Sequence, residues 1–374
     1  MPSISINGKA VEFTPGQTIL EVAQSAGVTV PTLCRLPKSG NHGVCRICSV
    51  EVQGAERLLA ACSTPANEGM DIATHSPRVM AARKSILGMI VARGRHDCFL
   101  RLLPRDRWPA YQKTASERLH RERPCPAEGR CELQKLVQEY GVPVKDLAPG
   151  PDDFLFDNFH PMITRDFSRC IQCGRCASVC EHIQVNDAIP PQFGQRRDKE
   201  HWWPTVDYEK CTHCGECLQA CPTGALSAKK AYGLLSRDDA TETIRTTCPY
   251  CGVGCQQELL VRDGRIIEVN GVADAQPNLG SLCVKGRFGY DFIYSPDRLK
   301  TPLIRQDDGS YREAGWDEAL DLVARKFGQV IRESGPDAVA GLSCSRSINE
   351  DSYQMQKLFR AVFRTNNIDN CART

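Results

Sequence analysis

The chain has 374 residues, a formal net charge of +2, 41% hydrophobic residues and 25% charged ones. This balance suits two or three ordinary globular domains, or more small ones, and exerts no global pull towards nucleic acid or anionic lipid. The opening MPSISINGKAVEF has no basic segment leading into an apolar one, and the most apolar stretch, VMAARKSILGMIVAR, carries Arg83 and Lys84 in its middle. Neither an export signal nor a membrane span is read, and the expected location is cytoplasmic.

The departure from ordinary composition is 21 cysteines. An odd count without an export signal argues against a disulfide scaffold, and in a reducing compartment dense thiols bind metal.

In chain order, residues 1–75 predict a small sheet with one helix. SISING and KAVEF are strands about an Asn7-Gly8 turn. TILEVAQSAG is a short helix with a Thr18/Glu21 capping box and Gly27 as its stop. Cys34, Cys45, Cys48 and Cys62 follow. Three thiolates on a loop and one distant thiolate suit a [2Fe–2S] cluster, with a zinc site as the alternative.

Residues 76–150 open with a helix capped by Ser76, with Pro77 in its first turn and Ile86, Leu87, Ile90 and Val91 on its apolar face. Cys98, Cys125 and Cys131 are one ligand short of a four-thiolate cluster. His96, two residues before Cys98, is the leading candidate for the fourth ligand, and His120 is the other. A histidine ligand leaves a cluster less negative and raises its potential. An arginine-rich, Trp-bearing insert separates Cys98 from Cys125 and reads as a solvated face or a docking surface.

Residues 151–240 hold CIQCGRCASVC and CTHCGECLQACP, two copies of Cys-x₂-Cys-x₂-Cys-x₃-Cys. In such paired runs the fourth cysteine ligates the other cluster. One [4Fe–4S] cluster is therefore expected on Cys170, Cys173, Cys176 and Cys221, and a second on Cys211, Cys214, Cys217 and Cys180, each fourth cysteine emerging on a helix. Zinc explains no such symmetric set of eight.

Residues 241–300 contain CPYCGVGC and CVKG, with Cys248, Cys251, Cys255 and Cys283 as a further cluster site. Gly252 and Gly254 are expected to bring backbone N–H groups close to the sulfurs. LLVRDGRIIEVNG reads as a hairpin about Asp263-Gly264. These assignments leave two cysteines, Cys344 and Cys371, unused. In residues 301–374, WDEALDLVARKFGQVI and EDSYQMQKLFRAVF read as helices and DAVAGLS as a strand of an α/β layer, with a helix-like segment at the end.

At CPYCGVGC…CVKGRFGYDFIYSPDRL the chain resembles the molybdopterin oxidoreductases at their [4Fe–4S] domain. SRSINEDSYQMQKLFRAVFRTNNIDNCART is similar to the catalytic (alpha) subunit of formate dehydrogenases. The upstream modules resemble the iron–sulfur domains of complex I and iron-only hydrogenases. The resemblance implies an α+β multidomain fold: a β-grasp [2Fe–2S] ferredoxin-like domain, a small helical His-Cys₃ [4Fe–4S] domain, a two-cluster bacterial ferredoxin domain, a molybdopterin oxidoreductase [4Fe–4S] domain and part of an α/β pterin-binding domain. It implies one [2Fe–2S] cluster, four [4Fe–4S] clusters and, in a full-length protein, a Mo or W bis(molybdopterin guanine dinucleotide). Formate would become CO₂ there, and electrons would pass through the clusters to a flavin/NAD diaphorase-type or hydrogenase iron–sulfur subunit.

Lys285 matches the family's lysine between cluster and pterin. The family's Cys or selenocysteine metal ligand falls four residues after the position of Cys371, just after Thr374. The expectation is a chain cut at a UGA codon and inactive towards formate alone. Two positions depart from the family pattern: Gly94 stands at the usual histidine position of the His-Cys₃ motif, and Arg364 where a glycine is common. Competing readings are a non-enzymatic electron-transfer module, or a large iron–sulfur subunit of a complex I or hydrogenase-type oxidoreductase.

Overall fold

The computed structural model describes residues 1–40, 42–94, 96, 125–127, 130–143, 156–190, 206–231 and 240–371. Cys98, His120 and the arginine-rich insert lie outside the described residues. The chain divides into two compact units, Met1–Thr243 with Leu260–Glu268, and Ile244–Leu259 with Val269–Thr374.

The first unit begins with antiparallel strands β1 (Ser3–Ile6) and β2 (Lys9–Glu12). Asn7 and Gly8 turn between them with φ of 52° and 79°, the left-handed backbone that a two-residue hairpin requires. Strands β3 (Ser49–Val52), β4 (Leu59–Ala60) and β5 (Asp71–Ala73) complete a sheet of order β2-β1-β5-β3-β4. Helix α1 (Ile19–Ser25) starts at the expected capping box: Glu21 N donates to Thr18 Oγ1 (3.3 Å) and Thr18 N donates to Glu21 Oε2 (2.8 Å). Its Ile19, Leu20, Val22 and Ala23 close the core over Ile4, Ile6, Val50 and Ile72.

A second core lies between α2 (Pro77–Arg93), capped by Ser76, and α3 (Glu132–Glu139). Leu87 and Val91 meet Leu133, Leu136 and Val137 there, together with Leu33 and Ile47 from the first cysteine loop. The helix face is not purely apolar. Arg83 is fully buried on it and donates to Tyr140 Oη and to the Ser49 carbonyl, both at 3.0 Å. A charge at that depth holds only because both bonds are made, and they tie α2 to β3 and to the end of α3.

A small antiparallel sheet, β6 (Phe156–Asp157), β7 (Ile163–Asp166) and β8 (Leu226–Ala228), supports the paired cysteine runs. Each run leads into a short helix, α4 (Arg175–His182) and α5 (Glu216–Ala220), entered through Gly174 and Gly215 at φ 77°. The two halves of the repeat thus fold alike, with one difference from expectation. Cys180 lies on α4, whereas Cys221 follows α5 in extended backbone because that helix is shorter and Pro222 comes next.

Strands β9 (Glu242–Thr247), β10 (Gln256–Arg262) and β11 (Arg265–Gly271) form a sheet with the expected turn at Asp263 and Gly264 (φ 49° and 72°). The division between the units passes through this hairpin. The second unit continues with α6 (Val284–Phe288), a hairpin of β12 (Leu303–Arg305) and β13 (Tyr311–Glu313), and the long helix α7 (Trp316–Ser334). Strand β14 (Gly341–Ser343) pairs in parallel with β15 (Ile368–Asn370), and α8 (Asn349–Lys357) crosses between them.

Two expectations are corrected here. DAVAGLS is a strand only from Gly341, because Pro336–Ala338 form a 3₁₀ turn. The segment ending the chain is a strand over Ile368–Asn370, in place of the expected helix. Ile368, Asp369 and Asn370 pair with Gly341, Leu342 and Ser343, a tertiary pairing that outweighs local preference. α8 widens into a π-helical stretch, Leu358–Phe363, and stops at Arg364 with φ 63° and ψ 36°. The glycine-like position noted in the sequence is therefore a left-handed helix stop. Among the described residues no helix is long and apolar enough to cross a membrane.

Candidate electron-transfer centres

The twenty described cysteines are all free thiols, and all but Cys344 and Cys371 fall into groups. In the first group Cys34, Cys48 and Cys62 are buried and Cys45 half-buried. Cys45 is hydrogen-bonded to Cys34, which brings the Cys34 thiol down to about 5 and pushes Cys45 up. Cys48 stands in the same relation to Cys62, which falls to about 7. The four sulfurs are thus gathered at the junction of the first sheet and the loop 34–48.

In the second group Cys125 and Cys131 are near enough to repel as thiolates, and burial pushes Cys131 up to about 12. His96 is brought down to about 4, first by burial and then by the Arg169 guanidinium, so its imidazole is neutral, as a metal ligand must be. A Cβ at Gly94 would stand 2.6 Å from the Ser168 carbonyl and 2.8 Å from His96 Nε2. The residue at the usual histidine position is therefore glycine where the ring of His96 folds back over it.

The paired runs line one cavity of about 1130 Å³. All eight thiols, Cys170, Cys173, Cys176, Cys180, Cys211, Cys214, Cys217 and Cys221, face it. Burial first and neighbouring thiols second push Cys170 to about 12 and Cys176 to about 11, and raise Cys173 and Cys217. Cys221 acts on Cys170, Cys173 and Cys176, and Cys180 on Cys211, while Cys217 feels Cys176 before Cys214 and Cys211.

Local geometry recurs. The amide of residue i+2 points at the sulfur of residue i at Cys170 (from Gln172, 3.4 Å), Cys173 (from Arg175) and Cys211 (from His213). Gln172 and His213 take φ of 53° and 57° to make that turn. Amides aimed at sulfur stabilise negative charge on it, which is what a cluster ligand needs. The donor set fits an iron–sulfur site: eight soft sulfurs, buried or half-buried, several of them facing backbone N–H groups, around one cavity.

Contacts that the sequence did not disclose fasten these groups together. Lys38 pairs with the buried Glu216, Ser178 Oγ donates to the Ser39 carbonyl (2.7 Å), and Arg175 grips Glu132 through two bonds of 2.6 and 2.8 Å. The loop bearing Cys34 and Cys45, the helix after Cys131 and both ferredoxin helices are thereby held in one body. Such partners are far apart in sequence and leave no local signature.

In the second unit Cys248, Cys251, Cys255 and Cys283 lie near enough to raise Cys248 and Cys255 by repulsion, after burial. The Tyr250 amide points at Cys248, again from position i+2. Gly286 packs close, with a Cβ there standing 3.4 Å from Cys248 Sγ. The expectation for Gly252 is corrected: its N–H donates to the Ser345 carbonyl (3.4 Å) and its carbonyl accepts from Asn349 Nδ2 (2.8 Å). It is small because Asn349 Oδ1 would stand 2.7 Å from a Cβ. Lys285 is exposed, two residues past Cys283. The two unassigned thiols meet across β14 and β15, with Cys371 Sγ 3.5 Å from Cys344 Sγ.

Repeated groups of thiols suited to iron–sulfur clusters define the class: an iron–sulfur electron-transfer protein. Comparison with known proteins carries the assignment further. Residues 2–77 match a 2Fe-2S iron-sulfur cluster binding domain, residues 169–225 and 204–258 two 4Fe-4S dicluster domain families, residues 241–295 the molybdopterin oxidoreductase Fe4S4 domain, and residues 298–374 the molybdopterin oxidoreductase family. Over 379 residues, all of this chain, it is 34% identical to the NADPH-Fe(3+) oxidoreductase subunit alpha of Geobacter sulfurreducens. It is 35% identical over 383 residues to an NADH-quinone oxidoreductase subunit of Rhizobium meliloti, and 30% identical over 413 residues to "Putative formate dehydrogenase YrhE" of Bacillus subtilis. The chain spans about 40% of the length of each of these relatives. It is homologous to these relatives and carries iron–sulfur and molybdopterin oxidoreductase domains.

Proposed function

We propose that this chain is the iron–sulfur portion of a formate dehydrogenase catalytic subunit, conducting electrons between a pterin-bound Mo or W centre and an acceptor subunit. The observation that carries the electron-transfer part is the cavity faced by all eight thiols of the paired runs. The ligands are Cys34, Cys45, Cys48 and Cys62 for a [2Fe–2S] cluster, and His96, Cys98, Cys125 and Cys131 for the first [4Fe–4S] cluster. Cys170, Cys173, Cys176 and Cys221 hold the second, Cys211, Cys214, Cys217 and Cys180 the third, and Cys248, Cys251, Cys255 and Cys283 the fourth. Bound in these cages, the clusters supply one-electron carriers, and a bis-pterin metal supplies the two-electron chemistry of formate.

The chain's own residues bind and orient. Backbone amides at i+2 offset thiolate charge. Arg83, Lys38 and Arg175 lock the cages of the first unit together, so that little reorganisation accompanies a change of charge. Lys285, exposed two residues past Cys283, would supply a cation for electron passage between the cluster and the pterin. The formate reading rests on the similarity of residues 345–374 to formate dehydrogenases and on the relative bearing that name.

A second reading is favoured by the higher identity to relatives named for NADPH and NADH: an electron-transfer subunit whose redox partner is a nicotinamide-oxidising flavoprotein subunit. Anaerobically purified full-length protein with its co-purifying subunits separates the two. Formate-dependent reduction of a viologen dye is expected. Reduction by NADH or NADPH with none by formate selects the second reading.

A further inference from the structure

Beside the cage on Cys211 stands a histidine that no cysteine motif includes. His160 is buried, and its Nδ1 accepts two backbone N–H groups, from Met162 and Ile163, each at 3.0 Å. An Nδ1 that accepts twice carries no hydrogen. The ring's remaining nitrogen, Nε2, therefore carries it, and the tautomer is fixed by the turn. Nε2 lies 3.7 Å from Cys211 Sγ and 3.0 Å from His213 Nδ1. The three ligand atoms lie within 4.8 Å of one another. With Nδ1 committed to the turn, His160 faces the thiol with a donor rather than a lone pair, which excludes it as a ligand to a metal held between these residues.

We propose that His160 is a positioning residue that donates its Nε2–H to the Cys211 thiolate and so raises the reduction potential of the cluster held by Cys180, Cys211, Cys214 and Cys217 relative to its twin. His213 shares the same hydrogen through Nδ1. A hydrogen bond to a ligand sulfur stabilises the more negative, reduced cluster, and such bonds are a principal control of cluster potential. The repeat makes the effect selective. Gln172 occupies in the first run the place of His213 in the second, and His160 reaches the second run at Cys211. This inference rests on the cluster ligation proposed above.

The test uses the anaerobically purified holoprotein and a potentiometric titration followed by EPR. Two substitutions separate the ring's two roles. His160→Asn keeps an oxygen where Nδ1 accepts from the turn but withdraws the donor from Cys211. His160→Gln keeps an N–H near the position of Nε2. The expected result is that His160→Asn disfavours reduction of one of the two clusters about tenfold, a fall of ~59 mV for one electron, while the other stays in place and His160→Gln restores most of the shift. The proposal is overturned if both clusters move together, or if neither moves in either variant while both signals are present. Absence of the paired signals from the unaltered protein would instead defeat the ligation on which the inference rests.

Discussion

The two units bury themselves in different ways. In the first, α1 closes the sheet, and α2 and α3 clasp each other. In the second, the longest helix of the described residues, α7, buries no residue at all and leaves Trp316 68%, Leu320 59% and Val323 50% exposed. An amphipathic helix with an open apolar face gains little from its own tertiary setting. The first unit is thus held by packing and by its thiol cages, whereas in the second α7 itself contributes little buried surface, although its Phe327 stacks on Phe363.

The largest test of that contrast is removal of metal. Stripping iron with a chelator under reducing conditions should unfold the ferredoxin part of the first unit, because the cavity that its eight thiols face is left without the clusters that fill it. Loss of hydrogen-exchange protection over residues 156–190 and 206–231 would show it, with β12 to β15 unchanged. Equal loss in both units would break the distinction. Cys173→Ser should remove one cluster, about four irons per chain, read by iron and sulfide analysis.

Packing comes next. Leu87→Ala should cost about 2–5 kcal/mol in urea unfolding of the holoprotein, whereas Leu320→Ala, at an exposed site, should stay within about 0.5 kcal/mol. Gly94→Ala should cost about 1–3 kcal/mol by forcing a methyl group against the Ser168 carbonyl, and should displace His96, visible as an altered EPR signal of its cluster. In the second unit the sign reverses. Arg364→Gly relieves a left-handed residue and should stabilise by about 1 kcal/mol.

The smallest effect is electrostatic. The Thr18 amide and hydroxyl hold Glu21 below its ordinary value of 4.5, so its contribution to stability is complete above that value and fades as pH falls through the lower folded one. Glu21→Gln should lower stability by about 0.5–1 kcal/mol at pH 7 and flatten that acid limb, measured by thermal unfolding.

Much of this was legible from residue order because the signals are local. The Asn7-Gly8 and Asp263-Gly264 turns, the Thr18/Glu21 cap and the spacing of the cysteine runs each lie within about a dozen residues. What escaped was long-range. Arg83 reads as a polar interruption of a helix until Tyr140 and Ser49 close on it. His160 lies 51 residues from Cys211 with no motif between them. Gly252 reads as a residue bared for sulfur, yet Asn349, 97 residues away, claims its carbonyl. The terminal strand reads as helix from its own residues because only its partner, β14, makes it a strand.

The crossed arrangement of Cys180 and Cys221 has a consequence for biogenesis. With the proposed ligation neither cage has its full set of sulfurs until both runs have left the ribosome and come together. Iron and sulfide would then be committed to the two cages in a single maturation event, and a chain nicked between the runs would lose both centres rather than one.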